Sequence, residues 1–224
     1  MKKEALLLDM NNTFMFGEDR FNSDQDYSIQ YHNLGGSLSS NHVNNLIEST
    51  YEYLAERYPD KKFRHSFPSV EYALSQVSND NLPQNEVDII INTFASHELG
   101  YIPDDYINVL FKLREIFTLS LVIDIWSPKD LWIETFKNQG IYPLFSAFSF
   151  SSDHGMVKPS PEPFKRVVKQ LNLSSDQCLV IGDSVRRDLG GANAAGIDCV
   201  LVGGAKNERV VGHYPTLLDF VNDI

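Results

Sequence analysis

Short strand-type apolar runs at Ala5–Leu8, 119–125, Phe145–Phe150, 178–181 and 199–202 constrain this chain more than any other feature. They alternate with segments of helical periodicity, the signature of β-α-β units and a parallel sheet. Runs that are apolar at successive positions suit strands buried on both faces. The expected fold class is therefore α/β. Asp9 stands directly behind the first run, in Asp9-Met10-Asn11-Asn12-Thr13. That puts a carboxylate at the carboxyl end of a buried strand, the usual place for ligands in open α/β sheets.

Between about Gly17 and Gly100 the character changes and only helices are evident. Val43, Leu46, Ile47, Tyr51, Leu54 and Tyr58 recur at helical spacing with Glu48, Glu52 and Glu56 between them, so one face is apolar and another acidic. Val70–Val77 and residues 86–96 read as two further helices, separated by the breaker cluster Ser78-Asn79-Asp80-Asn81-Leu82-Pro83.

After Pro103, the residues Tyr106, Val109, Leu110, Leu113 and Phe117 form the core stripe of a helix whose first turn carries Asp104 and Asp105, favourable against the dipole. A second crossover helix is predicted over 131–139. Ser160-Pro161-Glu162-Pro163 offers an N-cap, a proline at the first helical position and an acid in the first turn, so a helix starts there and runs to about Leu171. This fixes Lys158 at a helix N-terminus. A Gly/Ala-rich helix over 187–195 can approach the sheet closely.

With 224 residues, 42% of them hydrophobic, the chain can bury a sizeable core and accommodate one domain plus a substantial insertion. Its charge of 19 − 30 = −11 repels nucleic acid and anionic membranes, and no run of Lys or Arg offsets it. No nucleic-acid or membrane partner is expected. Met1-Lys2-Lys3 precedes an apolar stretch that Asp9 ends after four residues, too short for a secretory core, and no run reaches membrane-spanning length. Cys178 and Cys199 lack metal or redox spacing and read as reduced packing thiols. A cytoplasmic protein is the expectation.

Ser127 follows the second run, Lys158 stands in Gly155-Met156-Val157-Lys158-Pro159, and Asp183 and Asp188 stand in Gly182-Asp183-Ser184-Val185-Arg186-Arg187-Asp188. Each residue alone is an ordinary turn, cap or surface group. Taken in order after Asp9, each at a strand end, they resemble the four motifs of the haloacid-dehalogenase-like (HAD) superfamily. The resemblance implies a Rossmann-like core, residues 1–16 and 101–224, with an all-helical cap, residues 17–100, inserted between the first two motifs.

It also implies a chemistry. Asp9 would attack phosphorus and form an aspartyl phosphate, while Lys158, Ser127 and the backbone amides of Met10 and Asn11 hold the phosphoryl oxygens. Mg²⁺ would be held by Asp9, the carbonyl of Asn11 and Asp183, with Asp188 either touching the metal or bracing its ligands and steadying Lys158. Glu18, Asp19, Arg20 and Phe21 lie where the first motif leads into the cap, Arg20 being the best anion contact among them. The substrate implied is a small phosphorylated molecule.

Three residues depart from the family pattern. Asn11 replaces the usual second Asp, and an amide cannot transfer the proton that the leaving group needs. Such general acid–base help is worth about 10²–10⁴-fold, so slow turnover and a preference for acyl-phosphate-like leaving groups are expected. Asn12 replaces a glycine and tolerates the left-handed backbone. Pro128 follows Ser127 and has no N–H to offer a phosphate oxygen. The alternatives are a weakened member that binds a phosphoryl ligand or a protein partner, and a relative cleaving haloacids or phosphonates. Dehalogenation needs no metal, and a Schiff-base lysine could come only from Lys61 or Lys62.

Overall fold

The computed structural model describes residues 3–22, 24–79 and 81–224. Met1 and Lys2 of the basic start, and Asp80 of the breaker cluster, lie outside the described residues. Six parallel strands form one sheet: β1 (Ala5–Leu8), β2 (Thr118–Ile123), β3 (Phe145–Phe150), β4 (Cys178–Gly182), β5 (Asp198–Leu201) and β6 (Gly212–His213). Their order is β3-β2-β1-β4-β5-β6. The chain first winds outward on one side of β1 and then on the other, so the order reverses between β1 and β4. That reversal opens a crevice at the carboxyl ends of the two central strands.

The central strand shows why the sequence folds this way. Side chains alternate across a strand, so Leu6 and Leu8 enter the apolar cluster on one face of the sheet while Ala5 and Leu7 enter the cluster on the other. All four are fully buried. The first cluster is closed by α5 (Asp104–Ile116), α6 (Asp130–Asn138) and the C-terminal α10 (Leu217–Asn222). The second is closed by α8 (Glu162–Leu171) and α9 (Gly190–Ala195), with Phe164, Val167 and Ala192 inside. A Cβ on Gly191 would fall on the Phe164 ring, which is why the small-residue helix can lie so close.

Among the described residues between β1 and α5 lie the α-helices α1 (Tyr27–Asn33), α2 (Ser40–Arg57), α3 (Val70–Val77) and α4 (Gln84–Glu98). They enclose a third apolar cluster around Val43, Ile47, Leu54, Leu74, Ile90 and Phe94. Glu86 is buried there and is satisfied by the Tyr31 hydroxyl and by the Ser37 amide and hydroxyl. The chain leaves the sheet and returns to it through one paired crossing, with Phe16 N–H to Tyr101 O at 2.9 Å and Tyr101 N–H to Phe16 O at 2.8 Å.

Four details differ from the sequence expectations. Helix α1 was not anticipated, because only Tyr27 and Tyr31 mark its apolar side and its N-cap is the isolated Asp26. Strand β2 stops at Ile123, so Asp124 lies just past the strand rather than within it. The helix expected over 187–195 begins as a wide turn over Val185–Leu189 that continues into α9. The short β6 and α10 carry too little periodicity to be read from sequence. Among the described residues no helix is long and apolar enough to cross a membrane. Both cysteines are free and buried.

Candidate active site

Asp9 extends the pairing of β1 with β4 by one residue, its N–H donating to Ile181 O at 2.8 Å, and only then does the chain turn. The amides of Thr13, Phe14 and Met15 fold back on Met10 O at 3.0–3.1 Å, and Asn12 N–H donates to Met15 O at 2.8 Å. Asn12 takes the left-handed conformation, φ 55°, that this turn needs. Met10, Phe14 and Met15 point into the core. Of Met10, only the backbone therefore remains for a ligand.

Lys158 is 2% exposed and its ammonium lies between two carboxylates, 2.6 Å from Asp9 Oδ1 and 2.8 Å from Asp188 Oδ1. The loop before α8 is fixed at its base, since Ser160 Oγ accepts from Glu162 N–H at 3.2 Å. Asp188 gives its other oxygen to Ser184 N–H at 3.0 Å. Gly182 makes this possible, because a Cβ there would fall on the Asp188 carboxyl group. Carboxylate oxygens of Asp9, Asp183 and Asp188 all lie within 4.8 Å of one another.

Burial raises the Asp9 carboxyl pKa to about 7, helped by the charge of Asp188 and opposed by Lys158. Burial also works against the Lys158 charge, yet Asp188, Asp9 and Asp124 outweigh it and hold the ammonium protonated well beyond the ordinary lysine range. Asp183 is raised by burial and by Asp188, against the pull of Arg187. Three carboxylates thus converge on two cations, leaving an excess of negative charge suited to a divalent ion.

Ser127, in the loop after β2, is fully buried. Its hydroxyl has no partner, nor do Asn11 Oδ1 and Thr13 Oγ1, all three being buried. Buried polar atoms are almost always satisfied, so these three side chains, two of them in the turn that follows Asp9, are open to a further partner. The Ser127 and Trp126 amides are occupied: they donate to Glu98 at 2.9 Å and 2.5 Å.

The structure redirects Arg20. Its guanidinium donates to the carbonyls of Gly17, Leu99 and Ser96 at 2.8, 2.8 and 2.5 Å, stapling together the two chain crossings instead of facing an anion. The second cation of the site is Arg187, 3.5 Å from Asp183 Oδ1, whose charge also acts on Asp9 and Asp188. It was hidden inside the acidic motif. Asp124 accepts from Lys158 N–H at 2.9 Å and from the Tyr58 hydroxyl at 2.7 Å. Glu98 gave no signal at all, since a helix-end Glu is usually solvated. Glu18 has a buried, unpartnered Oε2. His154 and His97 bond locally, His154 to Ser149 and Met156 and His97 to Thr93.

The donor set fits a hard divalent cation. Asp9 and Asp183 offer carboxylate oxygens, the oxygen chemistry that Mg²⁺ takes, while Asp188 has both oxygens engaged by Lys158 and Ser184.

Comparison with known proteins finds HAD-like hydrolases. The HAD-hydrolase-like family model matches residues 156–223, the part that carries Lys158, Asp183 and Asp188. A glyceraldehyde 3-phosphate phosphatase of Pyrococcus abyssi is 27% identical over 161 residues, covering 69% of this chain and 64% of that protein. The match thus spans slightly less than two thirds of that relative's length. A HAD phosphatase of Thermococcus onnurineus superposes with a TM-score of 0.64 at 18% identity, covering 98% of this chain and 97% of that one. The magnesium-bound HAD-hydrolase YfnB of Bacillus subtilis superposes with a TM-score of 0.59 at 16% identity over 100% and 99% of the two chains. The chain has the Rossmann-like fold of these proteins, and its residues 156–223 share the HAD-hydrolase-like family pattern.

Proposed function

We propose that this protein is a Mg²⁺-dependent phosphatase of a small phosphorylated metabolite, acting through an aspartyl phosphate on Asp9. The observation that carries this reading is the buried Asp9–Lys158 contact at 2.6 Å, with Asp183 and Asp188 converging on the same point. The phosphatases among its relatives support the reaction class.

An Asp9 oxygen attacks phosphorus as the bond to the leaving oxygen breaks, and water then attacks the same phosphorus to release inorganic phosphate and restore the carboxylate. Lys158 draws the phosphoryl oxygens toward Asp9, and the unpartnered Ser127 hydroxyl donates to one of them. Asp188 keeps Lys158 aimed. A bound Mg²⁺, held by Asp9, Asp183 and the Asn11 carbonyl, supplies electrostatic stabilisation of the charge on the transferring group. Negative charge on the substrate would be met by Lys158 together with the bound metal, since the three carboxylates of the site outnumber its two cations and the whole chain carries −11.

Asn11 sets the limit of the site. Its amide can donate a hydrogen bond to the leaving oxygen but cannot give it a proton. Leaving groups that depart as stable anions, such as the carboxylate of an acyl phosphate, lose least. What supports the slow-turnover form of this reading is the chemistry of Asn11, an amide where a proton donor would serve an alkoxide leaving group. The acidic surface, with no basic patch in the sequence, fits a cytoplasmic protein acting on a free small molecule.

The test is a panel of phosphorylated metabolites and acyl phosphates, with and without Mg²⁺, on wild type, Asn11→Asp and Asp9→Asn. Mg²⁺-dependent phosphate release that vanishes in Asp9→Asn supports the reading. Release that persists in Asp9→Asn, or an absence of release from every substrate even with Asn11→Asp, overturns it.

A further inference from the structure

Both phosphoryl-binding loops of the core are held by the helical segment. The loop after β2 inserts Trp126 among Tyr51, Tyr58 and Phe67, with ring centroids 5.5, 5.6 and 5.7 Å away. Its backbone is clamped by Glu98, the last residue of α4, whose two oxygens accept from Trp126 N–H at 2.5 Å and Ser127 N–H at 2.9 Å. Glu98 is only 4% exposed, and it leaves the helix next to the paired crossing that Arg20 staples. A carboxylate gripping two successive amides fixes the direction of the following side chain, here the unpartnered Ser127 hydroxyl.

The loop before α8 is held in a parallel way. Val157 N–H donates to Arg64 O at 3.0 Å, Phe67 N–H donates to Gly155 O at 2.7 Å, and the Val157 side chain is buried in the apolar cluster of the helices. Tyr58, the C-cap of α2, donates its hydroxyl to Asp124 Oδ2, and that same oxygen accepts the Lys158 N–H. One side chain from the trailing end of the helical segment and one from its middle therefore reach the backbone of the two loops that carry Ser127 and Lys158.

We propose, resting on the phosphoryl reading above, that Glu98 and Tyr58 are positioning residues through which seating of the helical segment sets Ser127 and Lys158. Coverage of the substrate and assembly of its binding loops are then one event. Lifting the helices would release the Ser127 amide, the Trp126 ring and the Asp124 bridge together, so the open form holds a slack phosphate site. Closure costs binding energy and restores the geometry only when the helices are seated.

The test uses the full chain carrying Glu98→Gln, Glu98→Asp or Tyr58→Phe. Glutamine presents one acceptor and one NH₂ to the two amides, so one of them loses its partner. Amide resonances of Trp126, Ser127 and Lys158 report the loops, inorganic phosphate with Mg²⁺ probes the site, and acetyl phosphate turnover separates KM from kcat. Loss of one charge-assisted hydrogen bond predicts phosphate binding roughly tenfold weaker in Glu98→Gln, with kcat lowered as well. Glu98→Asp restores part of both. Tyr58→Phe moves the Lys158 amide and weakens phosphate while leaving the Ser127 amide in place.

Unmoved amides in both variants overturn the proposal. So do moved amides with unchanged phosphate affinity, because the contacts would then be structural only. If wild type itself binds no phosphate, the phosphatase reading falls separately, and the coupling of helices to loops is decided by the amide resonances alone.

Discussion

Lys158 and Asp9 meet at 2.6 Å in a place that water scarcely reaches, and Asp188 takes the other side of the same ammonium at 2.8 Å. Neither carboxylate is stable there without the lysine. Removing one partner of a buried ion pair typically costs about 3–5 kcal/mol. Lys158→Met should therefore lower the unfolding free energy by about that amount in urea titration, as well as abolish phosphate release. A stability change under about 1 kcal/mol would mean the contact is solvated and the pair weak.

Gly182 is required by Asp188. A methyl group in its place collides with the carboxyl that holds Lys158. Gly182→Ala should cost roughly 1–3 kcal/mol, as overpacking does, and reduce turnover more than tenfold. Gly196→Ala serves as the contrast: its left-handed backbone makes it strained, but no atom stands within 4 Å of the added carbon, so stability falls while turnover per folded molecule holds.

The pH dependence of stability should carry the mark of Glu98. Burial pushes its carboxyl from an ordinary 4.5 up to about 7, with the Trp126 and Ser127 amides pulling the other way. Between those values the folded state binds more protons than the unfolded chain, so stability falls as pH rises through that window and is greatest below about 4.5 as far as this group is concerned. The contribution is bounded by about 3 kcal/mol. Chemical unfolding of wild type and Glu98→Gln from pH 5 to pH 8 checks it: the slope should flatten in the variant.

Metal should stabilise the fold in proportion to its binding. At a hundred times its dissociation constant a ligand of the native state adds about 2.7 kcal/mol. Mg²⁺ should raise the melting temperature of wild type, and Asp183→Asn should lose most of that rise while keeping a similar metal-free melting temperature. An equal rise in both proteins would place the ion elsewhere.

Asn11→Asp should accelerate hydrolysis of alkyl phosphates by about 10²–10⁴-fold and that of acyl phosphates far less, because only the former need a proton on the leaving oxygen. Initial rates on one substrate of each kind decide this. Equal gains on both would mean that Asn11 acts on phosphate binding and not on the leaving group.

The parts of the fold legible in the sequence were those set by local pattern. The run Ala5–Leu8 is apolar at every position because both faces of β1 are covered, and Asp9 had to fall at its end. The α/β class and the resemblance to HAD-like proteins followed from such placements. Asp9, Lys158, Asp183 and Asp188 could be read because each sits beside a strand or helix end that announces itself. Glu98, Asp124 and Arg187 could not. Their roles depend on partners far away in sequence, Ser127 for Glu98 and Lys158 for Asp124, and nothing local separates them from solvated charges. Arg20 misled for the same reason, since its three carbonyl partners come from two segments that only the fold brings together.

The paired crossing of Phe16 and Tyr101 gives the inserted helices a single narrow stalk. A foreign insert spliced at that stalk would leave the sheet undisturbed and still produce a poor catalyst, unless the graft also brought an acid at its trailing end and a phenol near its middle to grip the host loops.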